Sequence, residues 1–149
     1  MDLDKYRREG ISIIFQAFCL LPLLTARENV CLSMEMQGIP ENQARVKAAE
    51  ALVKVGIEES KHKRFPSALS GGEQLRVAIA RTLSVGAPIV MADEPTGNLD
   101  GENTRIVMDI LRRLAHEAGR CVIVFTHDPV VADTADFVIR MKEGVLTMT

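Results

Sequence analysis

A chain of 149 residues that is 47% hydrophobic and 26% charged holds enough apolar material for one packed domain, which excludes a disordered chain. A formal net charge of -2 and no long basic run argue against a surface that neutralises many nucleic-acid phosphates, while leaving a single nucleotide within reach. Cys19, Cys31 and Cys121 show no C-x-x-C spacing, so neither a disulfide framework nor a zinc site is indicated, and a reducing compartment fits best.

The N-terminal MDLDKYRREG is charged and lacks the apolar stretch of a signal peptide, and the densest apolar run, FCLLPLL, is short and broken by Pro22. Neither secretion nor a membrane span is expected. Ile11 to Phe15 (ISIIF) reads as a strand buried on both faces, with Gln16 directly after it. Thr25 is placed to cap a helix through ARENVCLSMEMQ that ends at Gly38 and Pro40. A second helix, ENQARVKAAEALVKV, puts Ala48, Ala49, Leu52 and Val55 on one face and stops at Gly56.

EESKHKRFPS is a polar linker, in which His62 is expected to be solvated. Ser70 then opens a helix with Val77, Ile79, Ala80 and Leu83 on its apolar stripe. IVMA (Ile89 to Ala92) is a strand, and Gly101 to Ala118 is a helix with Ile106, Val107, Ile110, Leu111 and Leu114 inward. VIVF (Val122 to Phe125) is another strand, and ADFVIRMKEGVLTMT is a hairpin turning near Glu143 and Gly144. Strand, helix, strand with apolar strands predicts an α/β fold with a mainly parallel sheet, and a helical block separates ISIIF from the other strands. There is no internal repeat and no low-complexity segment.

Three places carry chemistry. In LSGGEQLRVAIARTL, Ser70 and Glu73 form a capping box. A cap does not explain two glycines in a first turn, because each weakens a helix by about 1 kcal/mol relative to alanine. A bare backbone at a helix N-terminus suits close approach of a phosphate, so Ser70, Gly71 and Gly72 are either a plain cap or an anion clamp. In IVMADEPTGNLD an apolar strand delivers Asp93 and Glu94 at its C-terminal end, the edge where open α/β sheets bind ligands. Adjacent carboxylates repel unless a cation or separate tasks keep them apart, and a Mg-nucleotide site supplies both. The alternative is an exposed turn in which D-E-P merely ends the strand. CVIVFTHD repeats the geometry with His127 at the mouth, whereas His116 reads as a surface residue.

The order strand-Gln, LSGGEQ, strand-DEPTGNLD, strand-His resembles the nucleotide-binding domain of ABC transporters, with Q-loop, signature, Walker B, D-loop and H-loop in sequence. ISIIFQAFCLLPLLTARENV and ADEPTGNLD are most similar to the branch serving lipoprotein release, macrolide-type export and cell-division complexes. The resemblance covers nearly the whole chain. It implies a P-loop NTPase-like fold in which residues 17–85 form a helical subdomain, and 11–16 with 86–149 form the sheet core. It implies ATP and Mg as cofactors of the complete domain. Asp93 would help hold the metal, Gln16 would bind and sense it together with the transmembrane partner, Glu94 would be the general base, and His127 would contact the γ-phosphate. Ser70, Gly71, Gly72 and Glu73 of the signature would clamp ATP bound to an opposite subunit, and Asp100 would link the two sites. The implied partners are transmembrane subunits and a second ATPase domain, which places the chain at the cytoplasmic face of a membrane through its partner.

The sequence departs from that pattern in one respect. It contains no G-x-x-x-x-G-K-[S/T], and Met1 falls just ahead of the Q-loop strand, so the N-terminal phosphate-binding part is expected to be missing, along with the aromatic that stacks on adenine. Tight nucleotide binding and hydrolysis are therefore not expected of these residues alone. The P-loop strand of the family is expected between IVMA and VIVF, and without it the chain is expected to self-associate. A non-hydrolysing interaction module that docks on a complete ATPase or a transmembrane partner is the competing function. DNA-repair and chromosome-structure ATPases share a similar signature but require long heptad arms that this sequence lacks.

Overall fold

Three short apolar strands pair in parallel, in the order β1 (Ile11–Ile14), β2 (Ile89–Asp93), β3 (Cys121–Phe125). The computed structural model describes residues 10–148, so the charged segment ahead of Gly10 lies outside the described residues. Between β1 and β2 run the helices α1 (Ala26–Glu35), α2 (Glu41–Lys54) and α3 (Gly71–Val85). Between β2 and β3 lies α4 (Gly101–His116), and after β3 come a single turn α5 (Pro129–Ala132) and the antiparallel pair β4 (Ile139–Lys142) and β5 (Val145–Met148). The expected α/β architecture with a parallel sheet is thus observed.

Helix starts follow local chemistry. Thr25 Oγ1 accepts from the Glu28 amide at 3.3 Å while the Thr25 amide donates to Glu28 Oε2 at 2.8 Å, a complete capping box. In α2 the buried residues are Ala44, Ala48, Ala51 and Leu52. Ala49, expected inward, is only half-buried, because the core stripe follows the i, i+4, i+7, i+8 spacing from Ala44 and Ala49 falls beside it. Ile106 in α4 is displaced in the same way: it is exposed, while Val107, Ile110, Leu111 and Leu114 face inward.

Most of the polar linker is exposed, as its composition suggests, but its backbone is docked on α1. Its carbonyls at His62 and Arg64 accept from the Arg27 and Ala26 amides at 3.0 and 2.8 Å, satisfying N-H groups that the first turn of α1 leaves open. This docking buries His62, and its Nε2 lies 3.0 Å from the Ile57 carbonyl. His62 is therefore a core histidine, contrary to the sequence expectation.

Helix α3 packs on α1, α2, β1 and α4 and is buried almost all round, with Leu75, Val77, Ala78, Ile79 and Ala80 inside. It joins the helical block and the sheet into one continuous core that includes Val30, Leu52, Ile79, Val90 and Val107. The helix ends at Gly86, whose φ of 75° supplies the left-handed cap.

Two expectations about the sheet are corrected. IVMA and VIVF are direct neighbours, paired from Ile89↔Cys121 to Asp93↔Phe125, so no strand lies between them. The strands are also covered on one face only. Ser12, Ile14, Val90 and Ala92 are buried beneath the helices, while Ile13, Phe15, Ile123 and Phe125 on the other face are 43, 45, 40 and 44% exposed. Side chains alternate between faces along a strand, so an apolar run is compatible with one covered face as well as with two. The hairpin turns through Glu143 and Gly144, with φ of 51° and 80°, the two left-handed positions that match the twist of a two-residue loop. Among the described residues no helix is long and apolar enough to cross a membrane.

Candidate nucleotide site

The C-terminal ends of β2 and β3 bring Glu94 and His127 together. Their strands are in register up to Asp93↔Phe125, so the next residues leave the sheet side by side. The Glu94 amide donates to the Phe125 carbonyl at 2.9 Å, which turns the backbone out of the strand at a φ of 42°. A non-glycine residue held in this left-handed region is strained and marks places where side-chain position matters.

The Glu94 carboxylate is held from three directions. Its Oε1 accepts from the His127 amide at 3.0 Å and from His127 Nδ1 at 2.6 Å, and its Oε2 accepts from Thr126 Oγ1 at 3.3 Å. Because an ionised carboxylate can only accept, Nδ1 carries the proton in this contact. The hydrogen bond from His127 lowers the Glu94 pKa, and the same bond raises that of His127. The imidazole is otherwise 87% exposed at its side chain, leaving the Nε2 edge open to a ligand. Thr126 also accepts from the Asp128 amide at 3.0 Å, which fixes the turn beyond β3.

Gln16 reaches the same place from β1. A β-carbon on Gly97 would lie 3.5 Å from Gln16 Nε2 and 3.6 Å from the Glu94 carbonyl, so Gly97 sits between Gln16 and Glu94. Asp93 is exposed and lines a hollow of about 310 Å³ on the open face of the sheet with Ile13, Phe15, Met91 and Phe125. The four residues Gln16, Asp93, Glu94 and His127, expected at strand ends, thus lie along one edge. Among the described residues no group of three or more His, Cys, Asp and Glu is placed to hold a metal. Asp93 and Gln16 offer hard oxygen donors of the kind that fit Mg when phosphates and waters complete its shell.

The residues Ser70 to Glu73 form a second group with the turn before α4. Ser70 Oγ accepts from the Glu73 amide at 3.2 Å, and the Ser70 amide donates to Glu73 Oε2 at 2.9 Å. Glu73 Oε1 also pairs with Lys61 Nζ at 2.7 Å, and this bond lowers the Glu73 pKa. Both oxygens of Glu73 are therefore engaged within the chain, while the hydroxyl proton of Ser70 stays available to donate. Gly71 is exposed, with only Leu99 Cδ2 at 3.9 Å from where its β-carbon would be. This open helix start fits an anion.

Gly72 is different: it is buried, and a β-carbon there would collide with the Asn103 amide. Asp100 is the N-cap of α4, its Oδ1 accepting from the Asn103 amide at 2.8 Å and its Oδ2 from Asn103 Nδ2 at 2.9 Å. Thr126, Asn103 and Lys61 were not singled out by the sequence. Thr126 adjoins His127 in FTHD and Asn103 is three residues from the Asp100 that it bonds, so both lie within local reach, whereas the contact of Lys61 with Glu73 and the packing of Asn103 on Gly72 join segments that no local pattern links.

Residues 2–97 of the chain match the family model described as ABC transporter. An uncharacterized ABC transporter ATP-binding protein of Mycobacterium tuberculosis is 43% identical over 145 residues, which is 97% of this chain and 58% of that protein. The macrolide export ATP-binding/permease protein MacB of Neisseria gonorrhoeae is 46% identical over 96% of this chain and 22% of its own length. Among solved structures, the ATP-binding cassette MJ0796 of Methanocaldococcus jannaschii, dimeric in a post-hydrolysis state with ADP and Pi, superposes with a TM-score of 0.86. That match has 39% identity and covers 99% of this chain and 66% of the cassette. The chain spans less than two thirds of the length of these relatives.

Proposed function

Because the chain belongs to the ABC transporter family, we propose that it forms part of an ATP-hydrolysing subunit that works as a dimer beneath a transmembrane partner. Support for the dimer and the partner comes from relatives: a dimeric cassette is among the similar structures, and MacB is named as an ATP-binding/permease protein. On this reading the subunit sits at the cytoplasmic face of a membrane through that partner. Residues 17–85 act as the helical subdomain, and 11–16 with 86–149 act as the sheet core.

The observation that carries the proposal is the Glu94–His127 pair at the ends of two adjacent parallel strands. ATP with Mg supplies the phosphoryl group to be transferred and neutralises charge developing on it. Asp93 and Gln16 would hold the metal. Glu94, kept ionised by its hydrogen bonds, would orient an attacking water and take its proton, and His127, its pKa raised by Glu94, would donate from a protonated Nε2 to a phosphate oxygen. Ser70 and Gly71 would donate to a γ-phosphate bound by an opposite subunit, with Gly72 and Glu73 supporting that turn and Asp100 communicating between sites. In the domain completed with an N-terminal phosphate-binding segment, Glu94→Gln should retain ATP binding and dimerisation and stop hydrolysis. Parental hydrolysis by that variant would remove Glu94 as the base.

The 149 residues contain no G-x-x-x-x-G-K-[S/T], so by themselves they should bind Mg-ATP weakly and hydrolyse it negligibly. Micromolar affinity in a calorimetric titration, with turnover lost in Glu94→Gln, would contradict this. The open sheet face favours a second reading, in which these residues are a non-hydrolysing module that docks on a complete ATPase or its transmembrane partner. The two readings separate on whether the completed domain hydrolyses ATP. Both expect self-association of the isolated 149 residues through uncovered apolar surface.

A further inference from the structure

The second glycine of LSGGEQ has a neighbour within its own chain. A β-carbon at Gly71 would meet only Leu99 Cδ2, in ordinary contact at 3.9 Å, but the place one would take at Gly72 is filled by the Asn103 side chain, with Cγ at 2.6 Å and Cβ at 3.1 Å. The Nδ2 of Asn103 donates to Asp100 Oδ2 at 2.9 Å, and its Oδ1 is the atom nearest the position that a β-carbon would take at Gly72. An N-cap aspartate requires only the backbone amide two or three residues on, which Asn103 N already supplies to Oδ1 at 2.8 Å. The side-chain bond is an addition, and it comes from the group that fills the space over Gly72.

We propose that Asn103 is a positioning residue that locks the Asp100 carboxylate to the start of α3, so that Ser70, Gly71 and Asp100 meet a partner subunit as one unit. The proposal rests on the reading of Ser70 and Asp100 as residues that face an opposite subunit. It assigns the two glycines separate tasks, with Gly71 leaving backbone open to a ligand and Gly72 leaving room for the lock. A shift of the Asp100 turn is then transmitted to the signature helix through a packed amide, and the reverse also holds. Asp100 and Gly72 are separated in sequence by the rest of α3 and by β2, so no local effect links them.

The test is nuclear magnetic resonance on the isotopically labelled 149-residue chain without nucleotide, reading the Asp100 carboxyl titration and the Gly71 and Gly72 amides. The two hydrogen bonds from Asn103 hold the Asp100 pKa down. Asn103→Ala should raise its titration midpoint, and Gly72→Ala, whose added β-carbon meets Asn103 first, should raise it in the same direction by displacing Asn103. The double variant should show no further rise beyond Asn103→Ala. Asp100→Asn, which keeps a good cap, should shift the Gly72 amide when Asn103 is present and leave it in place in the Asn103→Ala background. If Gly72→Ala fails to fold, the Asp100→Asn pair decides alone. A Gly72 amide that ignores Asp100→Asn, or that shifts equally with and without Asn103, overturns the lock. Since no nucleotide enters the measurement, its failure leaves the ATPase reading standing, and failure of that reading would leave the Asn103 coupling in place but remove its role at a partner subunit.

Discussion

The helical block α1–α3 buries an inward stripe on each of its helices, whereas the sheet with its hairpin leaves one whole apolar face half in solvent. In the block, Val30, Met34, Leu52, Val55, Leu75 and Ile79 are all at or near zero exposure, and the linker supplies the carbonyls and the His62 ring that complete it. In the sheet, one face is sealed by α3 and α4 while Ile13, Phe15, Ile123 and Phe125 remain about half in solvent, and every residue of β4 and β5 is exposed. An apolar pattern states that a surface is worth covering, without naming what covers it. The block carries its own cover between Thr25 and Gly86. No described residue covers the second face of the sheet.

The sharpest test of this contrast is a pair of truncations. Leu75→Ala in α3 should cost about 2–5 kcal/mol of unfolding free energy, the usual range for a fully buried leucine, whereas Ile123→Ala should cost less than about 1 kcal/mol. Equal losses in denaturant titration would mean that the open face is covered in solution.

A smaller effect is expected at the linker. His62→Ala removes a buried hydrogen-bonded ring and should destabilise by about 1–3 kcal/mol, while His116→Ala, whose exposed ring meets Asp136 at 3.2 Å, should stay within about 0.5 kcal/mol. Thermal unfolding of the two variants side by side decides whether the linker belongs to the closed half.

The open half should reveal itself through association. Ile123→Lys with Phe125→Lys places charge on the uncovered face and should lower the concentration-dependent mass seen by light scattering, with little change in unfolding free energy. Association that persists undiminished would locate the contact elsewhere, with the exposed β4–β5 hairpin as the next surface to charge.

The smallest effect is electrostatic. Glu94 holds the His127 pKa above its ordinary value, so the contribution of the contact to stability from His127 is complete below the unfolded-state pKa and is lost as pH rises through the raised one. The Glu94 side has the opposite sign: its lowered pKa keeps the contribution above the ordinary carboxylate range and loses it as pH falls through the lowered value. The pair is therefore intact between the lowered Glu94 pKa and the raised His127 pKa. Imidazole resonances should show His127 titrating high, and Glu94→Gln should bring it down. An unchanged His127 midpoint would dissolve the pair.

Much of this molecule was legible from local pattern. Both capping boxes, at Thr25–Glu28 and Ser70–Glu73, follow from residue spacing alone, because a cap is satisfied within four residues. The hairpin at Glu143–Gly144 and the strands ending at Asp93 and Phe125 are local in the same sense, and so is the placement of Gln16, Asp93, Glu94 and His127 at strand ends. The motif order sufficed for the family, to which the chain belongs.

Tertiary structure decided the matters that depend on which distant segments meet. Sequence periodicity specifies that β2 alternates its faces, but only the direct pairing of β2 with β3 brings the His127 ring onto the Glu94 carboxylate. Composition marks the linker as polar, yet the unpaired first-turn amides of α1 draw in its carbonyls and bury His62. The doublet Gly71–Gly72 announces a need for bare backbone without dividing it. The packing of α4 against α3 makes that division, because Asn103 fills the space at Gly72 and leaves Gly71 open.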